Sequence, residues 1–308
     1  MNKTMPLLRL TTLTWLLILG FVQFAWGVDE IVVGGWNIEN LGRPDQRGGA
    51  GKGVPQQPAD LANYIRSSEV HILGLEKISV DKSEGRSLTN DTLDDVVKIL
   101  NSDSEANWRY RVFRPKGSRA RVRLTAVMWN EAILKPVGDP LPLKVPGKPD
   151  CWKHPPTVMK FSAGERKTDI VIILIYMKSN RGGVGQAIKQ RAAEAKRRVE
   201  WFGKVLTKFS DQDLIIIGDV NALNGSEDAL RTFTGTGFVD LNSQDVPTYI
   251  GKLAGPLDRA FVPDNQPEFS GSNMEVVKSA DMSPEEFRKK LSDYYMVKFT
   301  LNVMDDDD

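Results

Sequence analysis

Two short polar clusters sit directly behind apolar runs. In DLIIIGDVNAL (213–223) the aliphatic run 214–217 stops at Gly218, and Asp219 and Asn221 follow at spacing two. In IVVGGWNIEN (31–40) Asn37 and Glu39 repeat that spacing. A carboxylate and a carboxamide aimed one way from a strand end can orient a water, hold a cation or hydrogen-bond a phosphate. Asp258 heads the apolar stretch 257–262, and Asp293 and Tyr294 precede another at 295–303. Gly, Asp and Asn are also common turn formers, so at 218–221 a plain turn remains open.

The elements that must position these groups are short buried strands and amphipathic helices. Residues 31–40, 71–78, 169–175, 214–217, 257–262 and 295–303 read as strands. Strand alternation puts Asn37 and Glu39 on the face of Ile31 and Val33, and continued extension puts Asp219 and Asn221 together. Residues 108–113 and 124–129 read as paired strands. The segment between them carries Arg119, Arg121 and Arg123 at alternate positions, the one local basic cluster that suits a polyanion, although such a run more often marks a solvated hairpin tip. Residues 58–67, 93–100 and 227–234 read as helices. A longer one follows from Ile188, Ala192, Ala195, Val199, Phe202 and Leu206, with Lys and Arg expected on its outer face. Residues 43–57, rich in Gly, Arg, Pro and Gln, read as a mobile loop, and 151–161 as a Pro-containing connection. No repeat or linker divides residues 28–304, so one α/β domain with two layers of sheet covered by helices is expected.

Residues 1–27 read as a signal peptide, with Lys3 and Arg9 before an apolar run too short for a confident membrane span. A secreted or periplasmic chain with no membrane span after leader removal is therefore expected. Its single cysteine, Cys151, allows no internal disulfide, and residues 305–308 form an acidic tail. Of 41 basic and 40 acidic residues, losing Lys3 and Arg9 leaves 39 and 40, a formal charge of −1. Global attraction to nucleic acid is thereby excluded.

The order of motifs resembles the endonuclease/exonuclease/phosphatase superfamily, the fold of pancreatic deoxyribonuclease. WNIEN (36–40) is similar to its first-strand WN motif, GLEKI (74–78) to GLQE or GLME, and YMKSN (176–180) to HLKS. GDVNA (218–222) is similar to GDFNA, LDRAFV (257–262) to a strand beginning with Asp, and SDY (292–294) to a terminal SDH. The RAAEA helix fits bacterial secreted members, and the resemblance spans residues 31–303. It implies a four-layer α/β sandwich, two packed mixed sheets flanked by helices, that hydrolyses phosphodiesters or phosphomonoesters. It further implies a divalent cation, usually Mg2+, on a Glu helped by neighbouring carboxylates, with two histidines and an Asp/Asn pair orienting the attacking water. Carried over, catalytic positions are Asp219, Asn221, Asp293, Tyr176 and Tyr294, and the remaining metal-binding positions are Glu39 and Asp258. Asn37, Lys178 and Arg123 are the candidate substrate contacts.

Three positions depart, and all three are chemical. The Glu ligand position is Lys77, and the two His positions are Tyr176 and Tyr294. An ammonium has no lone pair for a metal, and a phenol is a poor base at neutral pH. Lys77 instead brings the +2 change in charge that Mg2+ would have supplied, so its ammonium is expected in the metal's place. Glu76 points to the opposite face unless the strand slips by one residue. Of the two histidines, His71 reads as a strand-start residue, and His154 in CWKHPP is not expected to replace a catalytic imidazole. The expectation is a divergent, catalytically impaired phosphodiesterase. One rival is an active Mg2+-dependent secreted nuclease or phosphodiesterase using Asp219 and Asn221, its metal on Glu39, Glu76 or Asp258. The other is a pseudoenzyme that binds a phosphate-bearing ligand, nucleic acid included, through Tyr176, Lys178, Tyr294 and the 119–123 strand.

Overall fold

A computed structural model describes residues 28–84, 87–114, 121–142, 152, 154–252 and 254–305. The leader, Arg119, Cys151 and the tail beyond Asp305 lie outside the described residues. In chain order the strands are β1 (Glu30–Leu41), β2 (Ile72–Ile78), a small hairpin β3 (Lys82–Glu84) and β4 (Ser87–Thr89), β5 (Trp108–Phe113), β6 (Leu124–Asn130), β7 (Lys135–Pro142), β8 (Thr157–Ser162), β9 (Asp169–Tyr176), β10 (Leu214–Asp219), β11 (Phe238–Asp240), β12 (Asp258–Pro263), β13 (Glu275–Val277) and β14 (Met296–Asn302). The helices are α1 (Pro58–Ser67), α2 (Asp91–Leu100), α3 (Val184–Phe209), α4 (Asp228–Thr234) and α5 (Pro284–Lys290).

Two mixed six-stranded sheets pack face to face, ordered β13-β14-β1-β2-β6-β5 and β11-β12-β10-β9-β8-β7. Ile31, Val33, Ile72, Leu174, Ile215 and Ile217 fill the space between them. Outside the first sheet, α1, α2 and α5 pack over Trp36, Leu73 and Leu75. Outside the second, Ala195, Phe202, Val205 and Phe233 of α3 and α4 cover Val171, Ile173 and Ile216. This is the expected four-layer sandwich. Strands buried on both faces lose the polar alternation of a surface sheet, which is why β9 and β10 read as unbroken aliphatic runs.

Several elements differ from their sequence reading. Residues 157–161, read as connection, belong to β8. They pair with β7, whose Pro136, Gly138, Pro140 and Pro142 disguise an edge strand. Helix α3 turns Arg191, Glu194 and Arg198 inward together with Ala195 and Phe202, so its charged residues are not all on the outer face. The 43–57 loop is not a free excursion. Arg47 is 3% exposed and donates to the carbonyls of Val54, Arg288, Lys289 and Leu291, tying the loop to the C-terminal end of α5.

Gly218 sits where the active end of the fold begins. Its φ is 139°, and a Cβ there would lie 2.1 Å from the Ile175 carbonyl oxygen and 2.6 Å from Glu76 Oε1. Only glycine fits both the backbone angle and the approach. Gly218→Ala is expected to destabilise the protein by about 3 kcal/mol, read from urea denaturation. An unchanged midpoint would contradict this account of the turn.

Candidate functional site

The inner faces of both sheets end in polar residues at the same edge of the sandwich. Asn37 is the register partner of Glu76 across β1 and β2. Asp219 pairs with Tyr176 on one side and Asp258 on the other. The parallel pairs thus deliver their C-terminal ends to one cleft of about 580 Å³, walled by Lys77, Tyr176, Asp219, Asn221, Asp293 and Tyr294. Across the sheets Asn37 Nδ2 donates to Asp219 Oδ2 at 2.8 Å, and Asn221 N–H donates to Asp219 Oδ1 at 3.0 Å. Burial raises the Asp219 pKa to about 6, against the opposing effects of Lys77 and these hydrogen bonds. Asp258 accepts from Thr248 Oγ1 at 2.5 Å, and burial with Asp219 nearby raises its pKa well above the usual range.

Lys77 is brought to this edge by a bulge. The β2–β6 register shifts between Glu76 and Ile78, and Lys77 has a left-handed φ of 63°. Alternation alone would send Lys77 outward while Glu76 faces inward. The bulge directs both to the cleft end, so Glu76 is on the cleft side without a slip of the strand. Lys77 Nζ lies 4.6 Å from the Tyr294 ring centroid and 5.9 Å from that of Tyr176. Burial opposes its charge, but Tyr176, Asp293, Asp219 and Glu39 outweigh that and hold its pKa above the ordinary lysine value. Burial likewise raises both phenols, so Tyr176 and Tyr294 keep their protons.

The site does not fit a divalent ion in the usual position. The Lys77 ammonium lies among the cleft carboxylates, and Glu39 is committed elsewhere. Glu39 Oε2 accepts from Arg47 Nε at 3.2 Å and Nη2 at 3.1 Å, while Oε1 accepts from Gly48 N–H at 2.7 Å. Glu39 and Asn40 both have left-handed φ, which breaks the alternation that placed Glu39 beside Asn37. Among the described residues no group of three or more His, Cys, Asp or Glu is arranged to hold a metal ion. Glu76 is fully buried and meets the backbone N–H of Asp219. Burial, then Asp258 and Asp219, raise its pKa well above the usual value.

The other candidates fall on the cleft walls. Asn221 is left-handed at φ 58°, so it does not continue the strand. Its Nδ2 donates to the Met177 carbonyl at 3.2 Å. Lys178 turns its ammonium onto the carbonyls of Ser179 and, at 2.7 Å, Arg181. That loop is braced by buried Arg191, which binds Glu227 through two contacts at 2.8 and 2.9 Å and reaches the Lys178 carbonyl and Asn180 Oδ1, both at 3.0 Å. Arg123 lines the wall by Tyr176, whereas Arg121 bonds to the carbonyls of Val80 and Asp81. Asp293 is buried among the acids, which raises its pKa, with Lys77 and Arg47 acting against the shift. His71 Nδ1 accepts from Val32 N–H at 3.2 Å, a strand-start role. His154, which the sequence reading set aside as a loop residue of uncertain placement, lies in the cleft. Its ring stacks on Tyr176 at 4.3 Å between centroids and 29° between planes, inside the cleft.

Solved structures share this arrangement of sheets. An endonuclease/exonuclease/phosphatase family protein from Bacteroides thetaiotaomicron matches with a TM-score of 0.61 at 17% identity, covering 90% of this chain and 95% of that one. The chain has the endonuclease/exonuclease/phosphatase fold. The Bacteroides thetaiotaomicron mannosyl-6-phosphatase also has this fold, with a TM-score of 0.61 at 15% identity over 88% of this chain and 99% of that one. So does the human Nocturnin catalytic domain, solved with a bound sulfate anion, with a TM-score of 0.58 at 15% identity over 90% and 95% of the two chains. No family model and no curated protein sequence matches the chain. At these identities the likeness to the endonuclease/exonuclease/phosphatase proteins is one of fold.

Two outcomes follow from the buried charges. Glu76 keeps a proton in the folded state that the unfolded chain releases above its ordinary pKa of 4.5. Its contribution is therefore fully present below that pH and is lost as pH rises toward the folded pKa. Glu76→Gln is expected to raise the melting temperature at pH 8 and leave it unchanged at pH 4; the reverse pattern would refute the burial account. Arg47→Met leaves Glu39 buried without its cation, and a loss of about 3–5 kcal/mol in chemical denaturation is expected.

Proposed function

We propose that the cleft binds a phosphate-bearing ligand with the Lys77 ammonium as its cationic centre, in a divergent phosphoesterase whose hydrolysis is impaired. The observation that carries this reading is the placement of Lys77 Nζ between the Tyr176 and Tyr294 rings, facing Asp219 and Asp293. An ammonium offers three donors to phosphate oxygens, and two protonated phenols add more. Arg123 and Lys252 supply positive charge at the wall. The sulfate bound by Nocturnin, a protein of the same fold, is a tetrahedral oxyanion of the same shape as phosphate. Impairment follows from the two phenols, since losing a general acid–base group typically costs about 10²–10⁴ in rate. Residues 28–304 are read as one exported domain, freed of its leader.

The metal-dependent nuclease reading has one observation in its favour. Among the described residues Glu76, Asp258 and Asp293 are buried and carry carboxylate oxygens with few hydrogen-bond donors around them, which leaves these oxygens open to a cation. For that reading Lys77 would have to leave the cleft, exchanging its ring contacts for solvent.

Calorimetry with inorganic phosphate in the presence of chelator separates the two. Binding without metal is expected, with Lys77→Met weakening it about tenfold or more, the loss of one charge-assisted hydrogen bond. Plasmid nicking with Mg2+ or Mn2+ is expected not to exceed that of Asp219→Ala. Phosphate binding that appears only with a divalent ion, or nicking abolished by Asp219→Ala, would establish the nuclease instead.

A further inference from the structure

The structure puts an imidazole in the cleft at a position that no motif marks. We propose that His154 is a catalytic acid for a residual, metal-independent hydrolysis of phosphate monoesters. This inference rests on the phosphate-binding reading of the cleft and goes beyond it.

Three observations carry it. The first is placement. His154 lies against Tyr176, and Tyr176 is the sheet partner of Asp219. A phosphate at the Tyr176 hydroxyl would have the Asp219 carboxylate toward β10 and the His154 ring toward the chain that enters β8. The second is rigidity. Trp152 is 4% exposed and its Nε1 donates to the Glu194 carbonyl at 3.1 Å, anchoring the chain on α3 two residues before His154. Pro155 and Pro156 follow directly and lead into β8, so the backbone on that side is held near extended geometry. The ring is thus held from both ends and by its stack. The third is chemistry. Tyr176 and Tyr294 keep their protons, and Lys77 stays charged. His71 is bonded to the backbone of Val32 at the far end of β2. Imidazole is the side chain suited to give and take protons near neutrality, and His154 is the one in this cleft.

The step balances without a metal. A water oxygen attacks phosphorus while Asp219 takes the water's proton. The bond from phosphorus to the ester oxygen breaks, its electron pair staying on that oxygen. The His154 imidazolium gives its proton to the same oxygen, and the products are an alcohol and inorganic phosphate. The proton on Asp219 returns to His154 through solvent. Lys77 and the two phenols hold the non-bridging oxygens by hydrogen bonds.

General acid catalysis predicts a dependence on the leaving group that packing alone does not. The experiment compares hydrolysis of phenyl phosphate with that of p-nitrophenyl phosphate by the purified chain in chelator, for wild type, His154→Phe and His154→Gln. Phenylalanine keeps a ring on Tyr176 and removes the proton; glutamine keeps polarity and removes the imidazole. The urea midpoint serves as the folding control for both. The expected result is a loss of about 10²-fold or more with phenyl phosphate in both variants, a loss of only a few fold with p-nitrophenyl phosphate, and an unchanged urea midpoint. Equal loss on both substrates, no loss in His154→Phe, or no metal-independent hydrolysis by wild type would each overturn the proposal. In all three cases wild-type phosphate binding in chelator would still decide the reading of Lys77 separately.

Discussion

Buried negative charge must be balanced, and the end of this sandwich concentrates it. Glu76, Asp219 and Asp258 are each 0% exposed, and Asp293 stands beside them. Burying carboxylates side by side costs more than protein packing returns unless a cation is near or protons are retained. The molecule does both. Carboxyl pKa values rise throughout the cluster, and Lys77 places its ammonium among them. The left-handed bulge at Lys77, the close approach at Gly218 and the inward aim of Asn37 all follow from bringing these groups to one point.

A second set of buried ion pairs holds the walls of the cleft in place. Arg47 joins Glu39 to the end of α5, and Arg191 joins Glu227 to the loop after β9. Trp36 Nε1 donates to the Tyr294 carbonyl at 2.9 Å, and Ser292 Oγ donates to the Asn37 carbonyl at 2.6 Å, fixing the last motif against the first. The last two contacts join residues more than 200 positions apart. They explain why polar side chains that no substrate needs are found beside those that one would touch. The same set of contacts engages both Glu39 oxygens, one with a guanidinium and one with a backbone N–H.

The fold was legible because motif order and aliphatic runs survive divergence. The runs in β9 and β10 are dictated by burial on both faces, and the helical stripe of α2 by its packing on α1 and β5. The sequence reading also named Lys77, Tyr176 and Tyr294, and all three line the cleft. What alternation could not supply was orientation wherever the chain leaves ideal geometry. Lys77, Glu39 and Asn221 each have left-handed backbone angles, and each points elsewhere than a regular strand would send it. The 43–57 loop looked mobile because its anchor, Arg47, binds carbonyls more than 230 residues away. His154 was hidden for a related reason. Its ring meets Tyr176 only when β8 and β9 pair, and the sequence around it reports a turn.

The proposed role of the Lys77 ammonium, filling the cleft in place of a divalent cation, makes a direct structural demand. It is tested most directly by crystals of the chain grown with manganese, with the anomalous signal of the metal measured in the cleft. The account predicts Lys77 Nζ between the rings of Tyr176 and Tyr294 and no manganese peak beside it. A manganese ion refined at ordinary ligand distances on Asp258, Glu76 or Asp293, with Lys77 displaced, would contradict the account and restore a metal-dependent enzyme.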